Sequence, residues 1–537
     1  MRRWNGWGDD AKGYQLSESA WAFLDDCLGP GKPPRDITLK GMLSRLPPAL
    51  LSDRPGISTD SETRLRHNFG QSFSDWIAIR YGRVGRVVDG VAFPRSTEDV
   101  RSVLSVAQNA GAKVIPFGGG TSVVGHFSID GSEQPVICLS LERMTALEEL
   151  HEDGCLATFQ AGVPGPRLEE TLQARGFTLG HYPQSFELST LGGWIATRSA
   201  GHFSLGYGRI EGLFAGGQIV TARDRWVIPV HPASAAGPDL RQLVLGSEGR
   251  LGVITNCTVK VRRLPEQQVF SGSFLPGPNA GVDCIRAISQ SGVGVMMARL
   301  SLPEETRTGL ALKGHSGLRA IALEGWLGLH GVHDDACLLL VGADGSPARV
   351  RTTLAETNRL VRKHGGVVIG PLAGNTWYKS RFDFPYLRNT LWERGYGIDT
   401  LETALPWGRV HEYIGAVERA IHKGFEPDSE RAHVFTHLSH VYPHGTSVYT
   451  TYIFRLSDDP DANLARWQRT KAAASEIIVA FGGTISHQHG VGHDHRPYLG
   501  SEKRPEGMAL LRSVIREADP GGLFDTGNLV DTKETSS

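Results

Sequence analysis

The chain has 537 residues, 40% of them hydrophobic and 21% charged, with a formal net charge of -1. At roughly 100–200 residues per domain, such a length allows about two to four domains and a large core. A near-neutral balance excludes nucleic acid as the main partner, because gripping a phosphate backbone needs a clustered positive excess.

The opening "MRRWNGWGDD" has two arginines but no apolar run behind them, so it does not read as a signal peptide. Residues 1 to about 75 read as helices and loops, with prolines at Pro47, Pro48 and Pro55. Val88–Phe93 is a strand candidate. "STEDVRSVLSVAQNAGA" reads as a helix: Ser96 or Thr97 caps it, Glu98 and Asp99 favour its positive end, and Gly111 stops it. "KVIPF" is the next strand, so strand, helix and strand form an α/β unit that runs into Gly118-Gly119-Gly120. "PVICLSL", "LATFQAG", "GGQIVTA" and "LGVITNCTVKVRRL" are further strands around a helix, "GPRLEETLQARG".

Beyond about Pro265 the texture becomes that of a second, α+β unit. "PNAGVDCIRAISQSG", "SPARVRTTLAETNRLVRKHGG" and "NLARWQRTKAAASEIIVAFGG" are helices. "AIALEGWLG", "ACLLLVGA", "HVFTHLSHVY" and "SVYTTYIFRL" are strands. "DPGGLFDTGNLVD" reads as a loop that returns to the first unit. Cys27, Cys138, Cys155, Cys257, Cys284 and Cys337 include no CxxC pair and read as reduced core residues. No apolar run reaches the ~18–20 residues that span a bilayer. The end, "KETSS", is no peroxisomal address, so a cytoplasmic location is expected, with peripheral membrane contact left open.

Three glycines in a row are costly to order, and a turn needs fewer. A nicotinamide fingerprint requires a further glycine where Val123 stands, and a P-loop requires Lys-Ser or Lys-Thr after the glycines. That leaves a flexible turn, or a nest of backbone N–H groups that cradles a pyrophosphate. Two more Gly-rich stretches, His181–Gly212 and Gly237–Thr255, favour the nest. Together the three fit one extended dinucleotide held by loops.

In "ISHQHGVGHDH", His487 and His489 fall on one face if the segment is a strand. Imidazoles suit zinc or iron, but no carboxylate or thiolate cluster accompanies them. Structural histidines are the plain alternative.

These residues also carry a resemblance that covers nearly the whole chain. "RRWNGWG", "PFGGGTSV", "GHYPQSFELSTLGGWIATRSAG", "YGRIEGL", "GPDLRQLVLGSEGRLGVIT", "FPYLRN", "LETALPW", "HLSHVYPHGTSVY" and "GGTISHQHGVGHDHRPYL" resemble FAD-dependent enzymes of the vanillyl-alcohol oxidase (PCMH) type. Within these, the chain is most similar to the alkyldihydroxyacetonephosphate synthases, which form the first ether bond of ether lipids. The resemblance implies an α+β fold: an N-terminal helical segment (1–80), an FAD-binding domain of two α/β subdomains (81–265), a cap domain (266–500) and a C-terminal segment (501–537) that returns to the flavin domain.

It implies FAD on Pro116, Phe117, Gly118, Gly119, Gly120, Thr121, Ser122 and Val123 for the diphosphate. Pro183, Ser185, Ser189, Thr190, Gly192, Gly193, Ile195 and Thr197 would lie near the isoalloxazine, and Glu248, Gly252, Val253 and Ile254 on the adenine side. Thr121 stands where some relatives carry a flavin-linking histidine, so non-covalent FAD is expected. Tyr449, with its pKa lowered by nearby positive charge, would be the general acid/base. His487, His489 and Arg388 would serve catalysis and phosphate binding, and Arg299, Arg388, His437 and His440 would face the substrate. Gln488 replaces the middle histidine of the family's run of three.

The implied partners are acyl-dihydroxyacetone phosphate and a fatty alcohol, with a homodimer as the family's habit. The alternatives are an FAD-linked D-2-hydroxyacid dehydrogenase and a catalytically inactive flavin- or lipid-binding protein.

Overall fold

The computed structural model describes residues 2–52, 54–129, 133–313, 325 and 327–531. The strand expected over "AIALEGWLG" falls mostly outside them. Gly325, Leu327 and Gly328, which are described, are helical. Among the described residues no helix is long and apolar enough to cross a membrane, and all six cysteines are free.

The first 81 residues give four helices, Glu18–Leu28, Leu39–Leu43, Ser61–Arg66 and Phe73–Tyr81. The last starts on a capping box in which Ser72 and Asp75 satisfy each other's backbone N–H. A four-stranded sheet follows, in the order Ile57–Ser58, Gly90–Ala92, Val136–Ser140, Lys113–Phe117. Its last three strands are parallel. Helix Thr97–Asn109, capped by Ser96, connects two of them and buries Val100, Leu104 and Ala107. Its three-to-four residue apolar spacing is what a crossover helix over a parallel sheet needs.

A five-stranded antiparallel sheet takes the order Leu147–His151, Leu156–Gln160, Val253–Lys260, Phe214–Val220, Arg225–Ile228. These two sheets share one hydrophobic core. A seven-stranded antiparallel sheet holds the other large core, in the order Val367–Gly370, Gln267–Leu275, Cys337–Gly345, Met297–Ser301, Ala432–Tyr442, Gly445–Arg455, Tyr396–Pro406. Helices Gly277–Gln290, Pro347–Lys363, Val410–Phe425 and Pro460–Ala480 supply apolar faces to it.

The segment after helix Leu499–Ala518 closes the first unit. Leu523 accepts a hydrogen bond from the Val114 N–H at 2.7 Å, on the edge strand Lys113–Phe117. Fully buried Arg250 donates to the carbonyls of Asn528 and Val530 at 2.5 and 2.8 Å.

Candidate active site

A cavity of about 870 Å³ lies between the two cores, walled by residues from both. At one end stands the glycine loop. Pro116 through Val123 line the cavity, as do Pro183, Ser185, Ser189, Thr190, Gly192, Gly193, Thr197, Glu248, Gly252 and Ile254. Ile195 and Val253 are instead packed into the hydrophobic core. Among the described residues, the N–H groups from Gly118 to Val123 have no protein acceptor. Backbone donors are rarely left so, and six in sequence on residues that line one cavity are the makings of an anion cradle. The glycines are there for proximity. A Cβ on Gly119 would stand 2.1 Å from the Leu188 carbonyl oxygen, so the loop lies directly on the 185–190 segment. That segment is no extended loop: it leads through the Thr190 N-cap into short helices Leu191–Thr197, Ser204–Tyr207 and Ile210–Leu213.

Glu248 ties this cradle to the histidine tail. It sits in the left-handed region at φ +51°. Its carboxylate accepts the N–H groups of Val491 and Gly492 at 2.5 and 2.9 Å and pairs with His126 at 2.9 Å, which in turn meets Ser122 Oγ at 2.5 Å. Burial works against its charge, but His126 and the two N–H groups outweigh burial and hold Glu248 below the usual carboxylate range.

The other polar wall is one face of the seven-stranded sheet. Alternate residues of a strand share a face, so Phe435, His437 and Ser439 reach the cavity from one strand and Tyr449 and Thr451 from its neighbour. His437 and Tyr449 are direct cross-strand partners and stack at 4.9 Å and 17°. The Tyr449 hydroxyl donates to Thr400 Oγ1 at 3.1 Å, and His489 sits edge-on to its ring at 5.6 Å. Arg388 lies over Trp76 at 4.4 Å, donates to the Gln71 carbonyl, and is pushed down to about 10 by burial. Arg299 pairs with Glu305. His440, at φ +50°, meets Ser204 Oγ at 2.8 Å.

The histidine tail forms no strand: residues 483–492 are irregular. What shapes them is a carboxylate. Oε1 of Glu402 accepts the backbone N–H groups of His487, Gln488 and His489 at 3.1, 2.7 and 3.0 Å, and the Ser486 hydroxyl at 3.2 Å. Gln488 and His489 face the cavity, whereas His487 is not in its wall. Its Nε2 meets Arg209 Nη1 at 2.6 Å and the Tyr442 hydroxyl at 2.7 Å. Among the described residues no group of histidines, cysteines and carboxylates is arranged to hold a metal ion.

Two family models match the chain: "FAD binding domain" over residues 88–228 and "FAD linked oxidases, C-terminal domain" over residues 264–529. The chain belongs to the FAD-linked oxidase family. FAD is the cofactor of this flavoprotein, and the orphan donors of its glycine loop fit that group. The flavoprotein is 28% identical to the alkyldihydroxyacetonephosphate synthase of Dictyostelium discoideum over 99% of this chain and 93% of that protein. A solved alkyldihydroxyacetonephosphate synthase matches with a TM-score of 0.84 at 26% identity, covering 97% of this chain and 98% of that one. A p-cresol methylhydroxylase structure matches at 0.66 and 14% identity, over 87% and 92% of the two chains, which shows the shared PCMH-type α+β fold.

Besides the place of His487, the flavoprotein departs from its sequence reading at Tyr449. Tyr449 is not acidified: burial comes first and, with Glu402 and Asp399 nearby, raises it above an ordinary phenol, Arg299 opposing them. Sequence also left unassigned Glu305, Arg209, His126 and Glu402. Of these, Glu402 carried a signal: it is the acid of "LETALPW", a stretch used only as a mark of kinship.

Proposed function

We propose that this flavoprotein exchanges the acyl chain of acyl-dihydroxyacetone phosphate for a long-chain alcohol, forming an ether lipid precursor with no net redox change. The observation that carries this is the make-up of that cavity. It joins the cradle to a polar cluster of Tyr449, His489, Arg299 and Arg388, and to apolar walls from Phe274, Leu338, Leu340, Ile369 and Trp377. An anion and an aliphatic chain are both accommodated.

FAD, when bound, supplies the electron-pair acceptor and donor that lets a C–O bond be exchanged without an external oxidant. The N–H groups of 118–123 hold its diphosphate. Arg388 and Arg299 bind the substrate phosphate. Tyr449, kept a phenol by its burial, donates a proton at its hydroxyl rather than accepting one. His489 orients it through the edge contact. His487 acts at one remove, clamping its loop through Arg209. With Thr121 in the cradle, the flavin is held without a covalent bond, so acid precipitation releases it into the supernatant. Residues 81–265 are the flavin domain, 266–500 the cap, 1–80 and 501–537 flanking segments. The apolar substrates favour peripheral contact with a lipid surface.

The test is an anaerobic mixture of purified yellow protein, acyl-dihydroxyacetone phosphate and a fatty alcohol, with no electron acceptor. Ether product and free fatty acid are expected, with the yellow colour kept. Bleaching by a 2-hydroxy acid with no ether product would instead identify a dehydrogenase. Tyr449→Phe is expected to keep its flavin spectrum and lose about 100- to 1,000-fold in transfer rate, the range for removing a positioned acid. A phenylalanine variant within a few-fold of wild type would remove Tyr449 from the mechanism.

A further inference from the structure

The middle position of the histidine run, Gln488, faces the cavity but does not titrate. Its Oε1 is buried and has no partner among the described residues. Across the cavity stands a histidine with the equipment of a base. His437 Nδ1 lies 2.9 Å from Glu305 Oε2. A carboxylate needs a donor, so this contact places the ring proton on Nδ1 and the lone pair on Nε2. Arg299 Nη2 is also 3.2 Å from Nδ1, but its closer partner is Glu305 Oε1. Nε2 has no partner among the described residues, and the residue lines the cavity. Tyr449, stacked on the ring, fixes its plane.

Its place along the strand is informative. Phe435 lies two residues before it and Ser439 two after, all three on the cavity face. Thr308 and Leu312, from the helix that carries Glu305, line the cavity beside it. His437 therefore stands where apolar wall gives way to polar wall, the position of the hydroxyl at the head of an aliphatic chain.

We propose that His437 is the base that takes the hydroxyl proton of the incoming alcohol, with Glu305 as its positioning residue. This rests on the acyl-for-alkyl exchange proposed above. The acyl carboxylate leaves with the electron pair of the C–O bond that breaks. The alcohol oxygen brings the pair for the C–O bond that forms, and its proton passes to Nε2 and on to solvent. The charged and titratable groups that face the ring are Arg299, Glu305, Glu402, Tyr449 and His202. Burial, then Arg299, keep the imidazole below its ordinary value and so neutral at neutral pH. Glu305 stays ionised, held down to about 2 by His437 and Arg299 against its burial.

The experiment uses flavin-loaded wild type, His437→Gln and Glu305→Gln, each given acyl-dihydroxyacetone phosphate with either labelled fatty acid or hexadecanol. Wild type is expected to exchange the acid and to incorporate the alcohol. His437→Gln should lose alcohol incorporation about 100-fold, as expected of a missing general base, and lose markedly less of acid exchange, in which no hydroxyl proton is removed. Glu305→Gln should lower kcat with hexadecanol about tenfold at unchanged KM for the acyl substrate, and Glu305→Asp should restore most of it. If His437→Gln does not fold or bind flavin, the Glu305→Gln split decides. A wild-type alcohol rate in His437→Gln, or an equal loss of both exchanges with flavin content intact, overturns the assignment while leaving the function standing. Wild type that does neither reaction overturns the function itself, and the assignment with it.

Discussion

Gly119→Ala is expected to leave the purified protein colourless. The added methyl would meet the Leu188 oxygen at 2.1 Å, its carbonyl carbon at 2.8 Å and Ser189 Cα at 2.9 Å. All are backbone atoms, so no side chain can swing aside. The loop itself has to move, and its N–H groups move with it. A cradle works by aiming its donors, and a displacement approaching 1 Å spoils most of them. We expect at least about a 100-fold loss of FAD affinity, which is about 2.8 kcal/mol at 1.4 kcal/mol per tenfold. Flavin absorbance per mole of protein after reconstitution measures it. Gly500→Ala is the control, because a Cβ there meets nothing within 4 Å. A Gly119→Ala protein as yellow as that control would show that the loop does not hold the cofactor.

Glu402→Gln comes second in size. The native carboxylate accepts from Ser486, His487, Gln488 and His489 at once, and it is buried. Its burial favours the neutral acid, but His489, His487 and the N–H groups outweigh that and hold its pKa far below the ordinary range. All four donors converge on Oε1, so an amide can keep its oxygen toward them, but it removes the charge that makes those bonds strong. We expect a loss of roughly 2–4 kcal/mol in stability and at least about 100-fold in transfer rate as His489 leaves its place beside Tyr449. The pH dependence has a definite sign. A carboxylate depressed in the folded state stabilises fully above its ordinary pKa of about 4.3, and that contribution drains away as pH falls further. The gap between wild type and Glu402→Gln in denaturant midpoint should therefore be widest near neutrality and narrow below about pH 4. A gap that stays constant with pH would mean that the charge of Glu402 does not matter.

The cradle was readable because its signal is local. Gly118-Gly119-Gly120 follows an apolar strand in the sequence itself, and the structure differs only in turning Ile195 and Val253 into the core. Successive residues alternate faces on a strand and step around the axis of a helix, so a contiguous motif includes residues that cannot all reach one ligand. The histidine tail was harder. Its spacing invited a strand, but Gly490 at φ +87° and Gly492 at φ +53° bend it away from one, and the carboxylate that shapes it lies 85 residues upstream of His487. Strand register across a sheet puts Glu402 beside Tyr449, and no linear pattern announces register. The sign of the Tyr449 shift failed for a related reason. Arginines can be counted in a sequence, whereas the depth at which a phenol is buried cannot.

The hydrogen bond from Val114 to Leu523 makes an early strand depend for its edge partner on one of the last segments made. A ribosome delivers the glycine loop and its strand some 400 residues before the segment that covers the strand's free edge. Until then the nascent protein carries an open β edge at the strand that leads into its nucleotide pocket.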